Sequence, residues 1–232
     1  MLFIKKEVFF LKKLAFAAIM KFLSGMLLLA LILFASAGSY AFRNAYLFLG
    51  LLGTLVFISG VYLYKNDPEL LKERLNAREK DPAQRVYVLL SGLVIAAVLI
   101  VSGLSFRLKL IRLSLFTSII AAFAFTFFYL LFFVIMRENQ FLWRTVDVKP
   151  GQRVVTTGLY SVVRHPMYMV TVFLFALMPI VLGSAQGFYV SLFYPLVLVK
   201  RIKNEEAFLE KNHPGYIEYE NKVRFRLLPF IY

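Results

Sequence analysis

Hydrophobic residues occur along this chain in long uncharged runs separated by short polar segments. Four of these runs contain no charged residue and cover residues 22–38, 45–64, 86–104 and 113–136. An α-helix rises about 1.5 Å per residue, so runs of this length suit the roughly 30 Å hydrocarbon core of a bilayer. The pattern predicts four membrane-spanning helices.

A fifth uncharged run covers residues 166–199 and is too long for one crossing and short for two. It is interrupted at 183–187 by Gly-Ser-Ala-Gln-Gly, a turn-type cluster. A helical hairpin is therefore expected. The predicted fold is an all-α integral membrane protein with five to six transmembrane helices and a C-terminal helical hairpin.

Composition and charge agree with a membrane protein and orient it. The chain is 60% hydrophobic, whereas a soluble domain has about 45–50% apolar residues. Its net charge is +14, but 23 of the 27 Lys and Arg residues lie in 1–21, 65–85, 137–165 and 200–232. The positive-inside rule then predicts that both termini are cytoplasmic. The distribution suits anionic membrane lipids and argues against a nucleic-acid partner.

The remaining polar features before residue 137 are interpreted structurally. Residues 1–20 mix lysines with apolar residues, which suits a short interfacial helix or the start of the first span. No cleavage site of small residues is evident, so we expect this segment to be an anchor. Asp67-Pro68 predicts the capped start of a cytoplasmic amphipathic helix. With no cysteine and two histidines, disulfides, thiolate catalysis and a structural metal site are not expected.

The character of the sequence changes after the fourth span. We divide the chain into an N-terminal membrane region, 1–136, and a C-terminal region, 137–232, of loop, hairpin and C-terminal helix. A turn is expected at 149–152, and Pro214-Gly215 is expected to break the last helical pattern.

Polar residues of the C-terminal region concentrate on the two sides of the hairpin. A hairpin returns the chain to its starting face, so these segments are expected to share one cytoplasmic-side pocket. Its predicted members are Tyr160, Arg164, His165, Tyr168, Arg201, Glu205 and Glu206. Simpler interpretations stay open at this point: Arg164 reaching lipid phosphate with His165 capping a helix, and Arg201 with Glu205 as an intrahelical ion pair.

The same residues carry a resemblance to a known family. The pattern Gly-x-Tyr-x-x-x-Arg-His-Pro-x-Tyr at 158–168 is followed by Arg-x-x-x-Glu-Glu at 201–206, Tyr-x-x-Tyr at 216–219 and Arg-Phe-x-x-x-Pro at 224–229. It resembles the isoprenylcysteine carboxyl methyltransferase family, which is similar to phospholipid N-methyltransferases. The segments 137–141 and 151–158 resemble the approach to this motif in bacterial members.

The resemblance implies an S-adenosylmethionine-dependent membrane methyltransferase with a lipophilic acceptor, such as a prenylcysteine-like carboxylate or a lipid amine. It implies that Arg201 and Glu205 act in methyl transfer. The residues that it implies for the cofactor are Tyr160, Val163, Arg164, His165, Pro166, Met167, Tyr168, Glu206 and Tyr216, with Glu206 and the Tyr216 region at the nucleoside.

Two other functions remain open at the level of sequence. Sterol reductases share a related architecture of C-terminal helices and bind a nicotinamide cofactor, although such an enzyme would be expected to have more spans. A non-enzymatic membrane scaffold is the third interpretation. No obligatory protein partner is evident, and the sequence does not identify the acceptor, the methylated atom type or the oligomeric state.

Overall fold

The structure, a computed structural model, describes residues 2–76, 82–138 and 154–232. Within them the chain forms helices and no β-strand, which confirms the all-α fold. The helices are α1 (Leu2–Ala37), α2 (Arg43–Asn66), α3 (Pro68–Leu75), α4 (Pro82–Arg107), α5 (Leu115–Glu138), α6 (Pro166–Val181), α7 (Ala185–Ser191), α8 (Phe193–Asn212) and α9 (Tyr216–Lys222). A short 3₁₀ helix, Gly158–Ser161, precedes α6.

Four helices are long and apolar enough to cross a membrane, and they coincide with the four predicted runs. Their spans are Phe9–Ala37, Arg43–Asn66, Gln84–Arg107 and Leu115–Glu138. Phe116 and Phe123 are more than 70% exposed on α5, as expected for side chains that face lipid. Because α1 is continuous from Leu2, the basic start of the chain is the beginning of the first helix and not a separate interfacial helix.

The C-terminal hairpin is present, but its two arms differ. The 16-residue helix α6 is about 24 Å long at 1.5 Å per residue, which is shorter than the hydrocarbon core. Gly183, with φ of +75°, makes the turn, and the Ser184 hydroxyl caps α7 by accepting from the Gly187 N–H at 2.9 Å. The returning arm is divided at Leu192 into α7 and α8. The count of five or six crossings therefore stays a prediction.

The helices place the connecting segments in two separate groups. At one end lie the 38–42, 108–114 and 182–184 turns, which touch: the Asn44 amide donates to the Val181 carbonyl and the Ser118 hydroxyl, both at 2.9 Å, and the Leu113 N–H donates to Gly183 O at 3.0 Å. We call this the turn end. The other group contains α3, the start of α6 and the chain after residue 200, and we call it the site end.

Local sequence signals at the site end gave correct predictions. The Asp67 carboxylate accepts from the Leu70 N–H at 3.0 Å with Pro68 in the first turn, so α3 is capped as expected. Its Leu70 and Leu71 pack on Leu14 of α1. The predicted break at Pro214-Gly215 separates α8 from α9, and Gly215 has φ of +82°. The predicted turn at 149–152, and the motif approach in 139–141 and 151–153, lie outside the described residues.

Candidate active site

The residues before α6 are held by the end of α5. The hydroxyl of Thr157 donates to Glu138 Oε1 at 2.9 Å, and Gly158 follows with φ of +52°. The backbone angle favours glycine at this position, and a Cβ there would also require the end of the Glu138 side chain to move. After the 3₁₀ turn, His165 is the N-cap residue of α6, although its side chain makes no capping hydrogen bond, and Pro166 occupies the first turn.

The C-terminal segment covers the entry into α6. The N–H groups of Arg164 and His165 donate to the carbonyls of Phe225 and Arg226, both at 2.9 Å. Val163 forms a parallel bridge with Phe225 and is fully buried. These two N–H groups are thus satisfied within the chain and are not available to an anion.

A buried ion cluster is centred on the Glu206 carboxylate, which is 2% exposed. Its Oε1 accepts from Arg164 Nε at 2.7 Å and lies 3.2 Å from His165 Nε2, and its Oε2 accepts from Arg226 Nε at 2.6 Å. Arg164 also pairs with Glu220 at 3.0 Å. We call Arg164, His165, Glu206, Glu220 and Arg226 the anchor cluster.

The protonation of Glu206 follows from this environment. Burial alone would raise the pKa of its carboxyl, but the hydrogen bonds and charges of His165 and Arg164 outweigh burial and hold the pKa at about 2. Glu206 is therefore a carboxylate at physiological pH. Both of its oxygens are engaged by the protein, so it acts here as the centre of a structural network.

A second polar group lies on the neighbouring face of α8. The Tyr168 hydroxyl donates to Glu205 Oε2 at 2.6 Å, and the Arg201 guanidinium carbon lies 5.2 Å from the centre of the Tyr168 ring. All three side chains are half-buried, unlike those of Arg164, His165 and Glu206. We call Tyr168, Arg201 and Glu205 the open face.

The two groups meet through one aromatic contact. The His165 and Tyr168 rings stack with centroids 5.5 Å apart and an interplanar angle of 14°. Consecutive helical residues are rotated by roughly 100°, which is why Glu205 and Glu206 point to different partners. The predicted juxtaposition of the two sides of the hairpin is thus present in the structure. The catalytic and cofactor roles of these residues stay predictions.

The other predicted cofactor residues surround this centre. Tyr160 is buried, and its carbonyl accepts from the Tyr219 hydroxyl at 2.7 Å. Met167 is half-buried and packs on the hydrophobic core. Tyr216 is 4% exposed, and its buried hydroxyl has no hydrogen-bond partner among the described residues. Burial, and then the charge of Glu206, raises the pKa of Tyr216, so it is a neutral donor.

Sequence reasoning missed two members of the anchor cluster, Glu220 and Arg226. Both lie in the tail, and nothing in their spacing relates them to position 206. The only available signal was the density of charges around the Tyr-x-x-Tyr and Arg-Phe elements. Gln84 was also missed: it is fully buried, and neither atom of its amide has a hydrogen-bond partner among the described residues.

Comparison with known proteins confirms the family resemblance. Residues 120–211 match the family model of the isoprenylcysteine carboxyl methyltransferase family, a region that runs from α5 through α8 and contains Arg164, His165, Tyr168, Arg201, Glu205 and Glu206. The matched family is one of methyltransferases, and the matched region is less than half of this chain. It ends before Tyr216 and the tail that supplies Glu220 and Arg226.

Two curated relatives are sterol reductases. A delta(14)-sterol reductase of Mus musculus is 25% identical over 91 residues, which are 38% of this chain and 22% of the reductase. A delta(14)-sterol reductase of Methylotuvimicrobium alcaliphilum is 26% identical over 101 residues, which are 40% of this chain and 24% of the reductase. The similar segment is thus less than a quarter of the length of either relative.

Proposed function

We propose that this protein is an S-adenosylmethionine-dependent methyltransferase that methylates a lipophilic acceptor at the site end. The observation that carries the proposal is the open face: Tyr168, Arg201 and Glu205 gather beside the anchor cluster, within the segment that matches the methyltransferase family. An integral membrane protein with a polar, half-buried face at one end of its helices suits an acceptor that arrives from the lipid.

The chemistry of the side chains fits the cofactor. The cofactor has an amino-acid end that needs charged and polar partners, a nucleoside that needs hydrogen bonds and aromatic contacts, and a sulfonium that a carboxylate and aromatic faces stabilise. The Tyr216 hydroxyl, buried without a partner among the described residues, is available to a nucleoside. We infer that His165 and the backbone of 160–163 hold the amino-acid end and that Met167 and Tyr168 line the pocket.

The residues of the open face supply alignment. The bound cofactor provides an already activated methyl group, so the protein need only position the acceptor and exclude water. Arg201, held over the Tyr168 ring, would orient an anionic acceptor such as a carboxylate. The hydrogen bond from Tyr168 fixes the Glu205 carboxylate. For an amine acceptor, Glu205 would instead take the proton that the nitrogen loses.

The anchor cluster has a different part in the proposal. Glu206 contacts the side chains of Arg164, His165 and Arg226. These contacts fix three parts of the chain to one another: the segment before α6, helix α8 itself, and the tail. Glu206 was predicted to meet the nucleoside. We propose that it acts through Arg164 and His165, which it holds in place, as a positioning residue.

Membrane orientation is part of the same proposal. The site end carries most of the Lys and Arg residues, so we place it and both termini in the cytoplasm. The chain has no cysteine, which allows a clean test with the exposed positions Lys222→Cys and Tyr40→Cys. In intact cells, a membrane-impermeant thiol reagent should label Cys at 40 and not at 222. Labelling of Cys at 222 and not at 40 would mean that the site end and both termini face the outside of the cell.

A nicotinamide-dependent reductase is the second candidate, favoured by the similarity to two sterol reductases. Titration calorimetry of the purified protein with S-adenosylhomocysteine and with NADPH separates the functions. We expect binding of S-adenosylhomocysteine only. Binding of NADPH alone would favour the reductase, and binding of neither would favour a scaffold.

The acceptor is best identified from the product. The purified protein would be incubated with S-adenosylmethionine carrying a radiolabelled methyl group and with a membrane lipid extract. A labelled product soluble in organic solvent, absent with Arg201→Ala, is the expected result. Base-labile label would indicate a methyl ester, and base-stable label a methylated nitrogen.

A further inference from the structure

A polar pocket lies at the turn end, separated from the site end by the length of the transmembrane helices. Its volume is about 410 Å³, within the range of roughly 300–1,000 Å³ typical of ligand pockets. It opens between the start of α2, the end of α4 and the turn after α6. The lining residues that matter here are Arg43, Asn44, Ser102, Ser105, Arg112 and Gly183.

The charged side chains of the turn end are all basic. Its described residues, 34–48, 104–119 and 178–193, include four basic side chains, Arg43, Arg107, Lys109 and Arg112, and no Asp or Glu. Two of the four, Arg43 and Arg112, line the pocket and are exposed. No carboxylate at this end neutralises them, so the pocket mouth attracts an anion.

The interior of the pocket is polar without being charged. Ser102 and Ser105 are buried, and Ser105 Oγ accepts from Ser184 Oγ at 3.1 Å. The Asn44 amide is engaged by Ser118 and Val181. These groups have hydrogen-bond partners within the protein, so they supply dipoles but no counter-ion for the two arginines.

Arg112 is held in place by contacts that leave most of its donors available. Its guanidinium stacks on the Phe106 ring at 4.5 Å and, among the described residues, donates one hydrogen bond, from Nη2 to Phe106 O at 2.6 Å. A guanidinium has five N–H donors in a planar fork that suits phosphate oxygens. Arg112 is therefore oriented in advance at the rim of the pocket.

The surroundings of the pocket identify the source of the anion. Tyr40, Ile111, Leu115 and Phe116 are each more than 60% exposed at this end. Exposed aromatic and aliphatic residues interleaved with arginines are typical of the headgroup boundary of a bilayer. An anion at this depth, in contact with exposed apolar residues, is most readily part of a lipid.

We propose that the turn-end pocket binds the phosphate-bearing headgroup of an anionic phospholipid, with Arg43 and Arg112 as its ligands. The bound headgroup would tie the 38–42, 108–114 and 182–184 turns together. This inference is independent of the proposed methyl transfer, because it concerns the opposite end of the helices.

Native mass spectrometry of the full chain tests the proposal. The protein would be released from vesicles of phosphatidylcholine with phosphatidylglycerol as the minor component. We expect one retained phosphatidylglycerol, and a loss of affinity of about tenfold for each arginine removed in Arg43→Gln and Arg43→Gln/Arg112→Gln. The matched control is Arg107→Gln/Lys109→Gln, which removes two charges from the same end but none from the pocket lining; its retention should equal that of the wild type.

Three results would overturn the proposal. Equal retention of phosphatidylcholine would mean that the site does not select anionic lipids. Equal losses in the pocket variant and the matched control would indicate a diffuse electrostatic effect. Displacement of phosphatidylglycerol by millimolar inorganic phosphate would assign the pocket to a free anion. If the double variant fails to fold, the single variant Arg43→Gln still provides the test. Arg43 is exposed, and replacing it removes no buried contact among the described residues.

Discussion

The anchor cluster and the open face lie on adjacent sides of α8, and their contrast separates structure from chemistry at this site. Glu206 is 2% exposed, and both of its oxygens are occupied by protein donors. Glu205, the preceding residue, is half-buried and accepts a hydrogen bond from Tyr168. Both oxygens of Glu206 have partners within the protein, whereas the Glu205 carboxylate remains accessible to a ligand.

The roles of two adjacent glutamates can therefore be assigned only from the groups that each one contacts. A buried carboxylate requires compensation, and the fold provides it from the segment before α6 and from the tail. An accessible carboxylate with a fixed orientation is suited to act on a substrate.

The largest effect is expected on stability from Glu206→Ala. Removing this carboxylate takes from buried Arg164 one of its two carboxylate partners, leaving Glu220, and breaking a buried pair in this way costs up to about 3–5 kcal/mol. Glu205→Ala should cost less, about 1.5–3 kcal/mol at most, because Glu205 is half-buried and the change removes the single hydrogen bond that Tyr168 donates to its carboxylate. Unfolding in mixed detergent micelles, followed by circular dichroism, measures both. Equal losses for the two variants would contradict this assignment of roles.

Methyl transfer should depend directly on the open face, whose residues contribute less to stability than Glu206. We expect Arg201→Ala and Glu205→Ala to lower methyl transfer by about 10²–10³-fold, as loss of a group that orients or stabilises the reacting centre does. Both proteins should remain folded in detergent. Transfer of labelled methyl to the lipid extract provides the measurement, with Lys203→Ala, an exposed residue on α8, as the control. Wild-type rates in either variant would remove the catalytic assignment.

Tyr168→Phe tests the contribution of a single hydrogen bond of the open face, the one that Tyr168 donates to Glu205. The substitution keeps an aromatic ring beside His165 and Arg201 but removes the hydroxyl that donates to Glu205. A hydrogen bond to a charged group contributes about 1.5–3 kcal/mol, so kcat should fall at least about tenfold. Cofactor affinity, measured by calorimetry, should change little. A loss of affinity with unchanged kcat would make Tyr168 a binding residue only.

The pH dependence of stability gives the smallest and most specific test. The pKa of Glu206 is held at about 2, below the ordinary value of 4.5, so its stabilising contribution is complete above pH 4.5. It is lost as the pH falls from 4.5 toward 2. The free energy of unfolding should therefore decline more steeply in the wild type than in Glu206→Gln over this window. Parallel curves would show that Glu206 is not the responsible group.

Much of the fold was predictable because the membrane restricts what a sequence can do. Backbone groups in lipid must be satisfied within helices, so uncharged runs at 45–64 and 86–104 were sufficient to predict α2 and α4. Capping chemistry identified α3, and the Gly-rich turn identified the hairpin. The division of its returning arm at Leu192 was not predicted, although Pro195 marks it: proline has no N–H for a helical hydrogen bond, and it lies here in the first turn of α8.

The candidate site was predictable only in part. The hairpin pattern was sufficient to place Arg164-His165 and Arg201 to Glu206 on one side of the molecule, because such a turn must return the chain to its starting face. The enclosure of Glu206 by Arg226 from the tail, and the contact of Glu205 with Tyr168, emerged only from the three-dimensional fold. Pairing of charges depends on distances between segments far apart in the chain, and no periodicity within one helix encodes those distances.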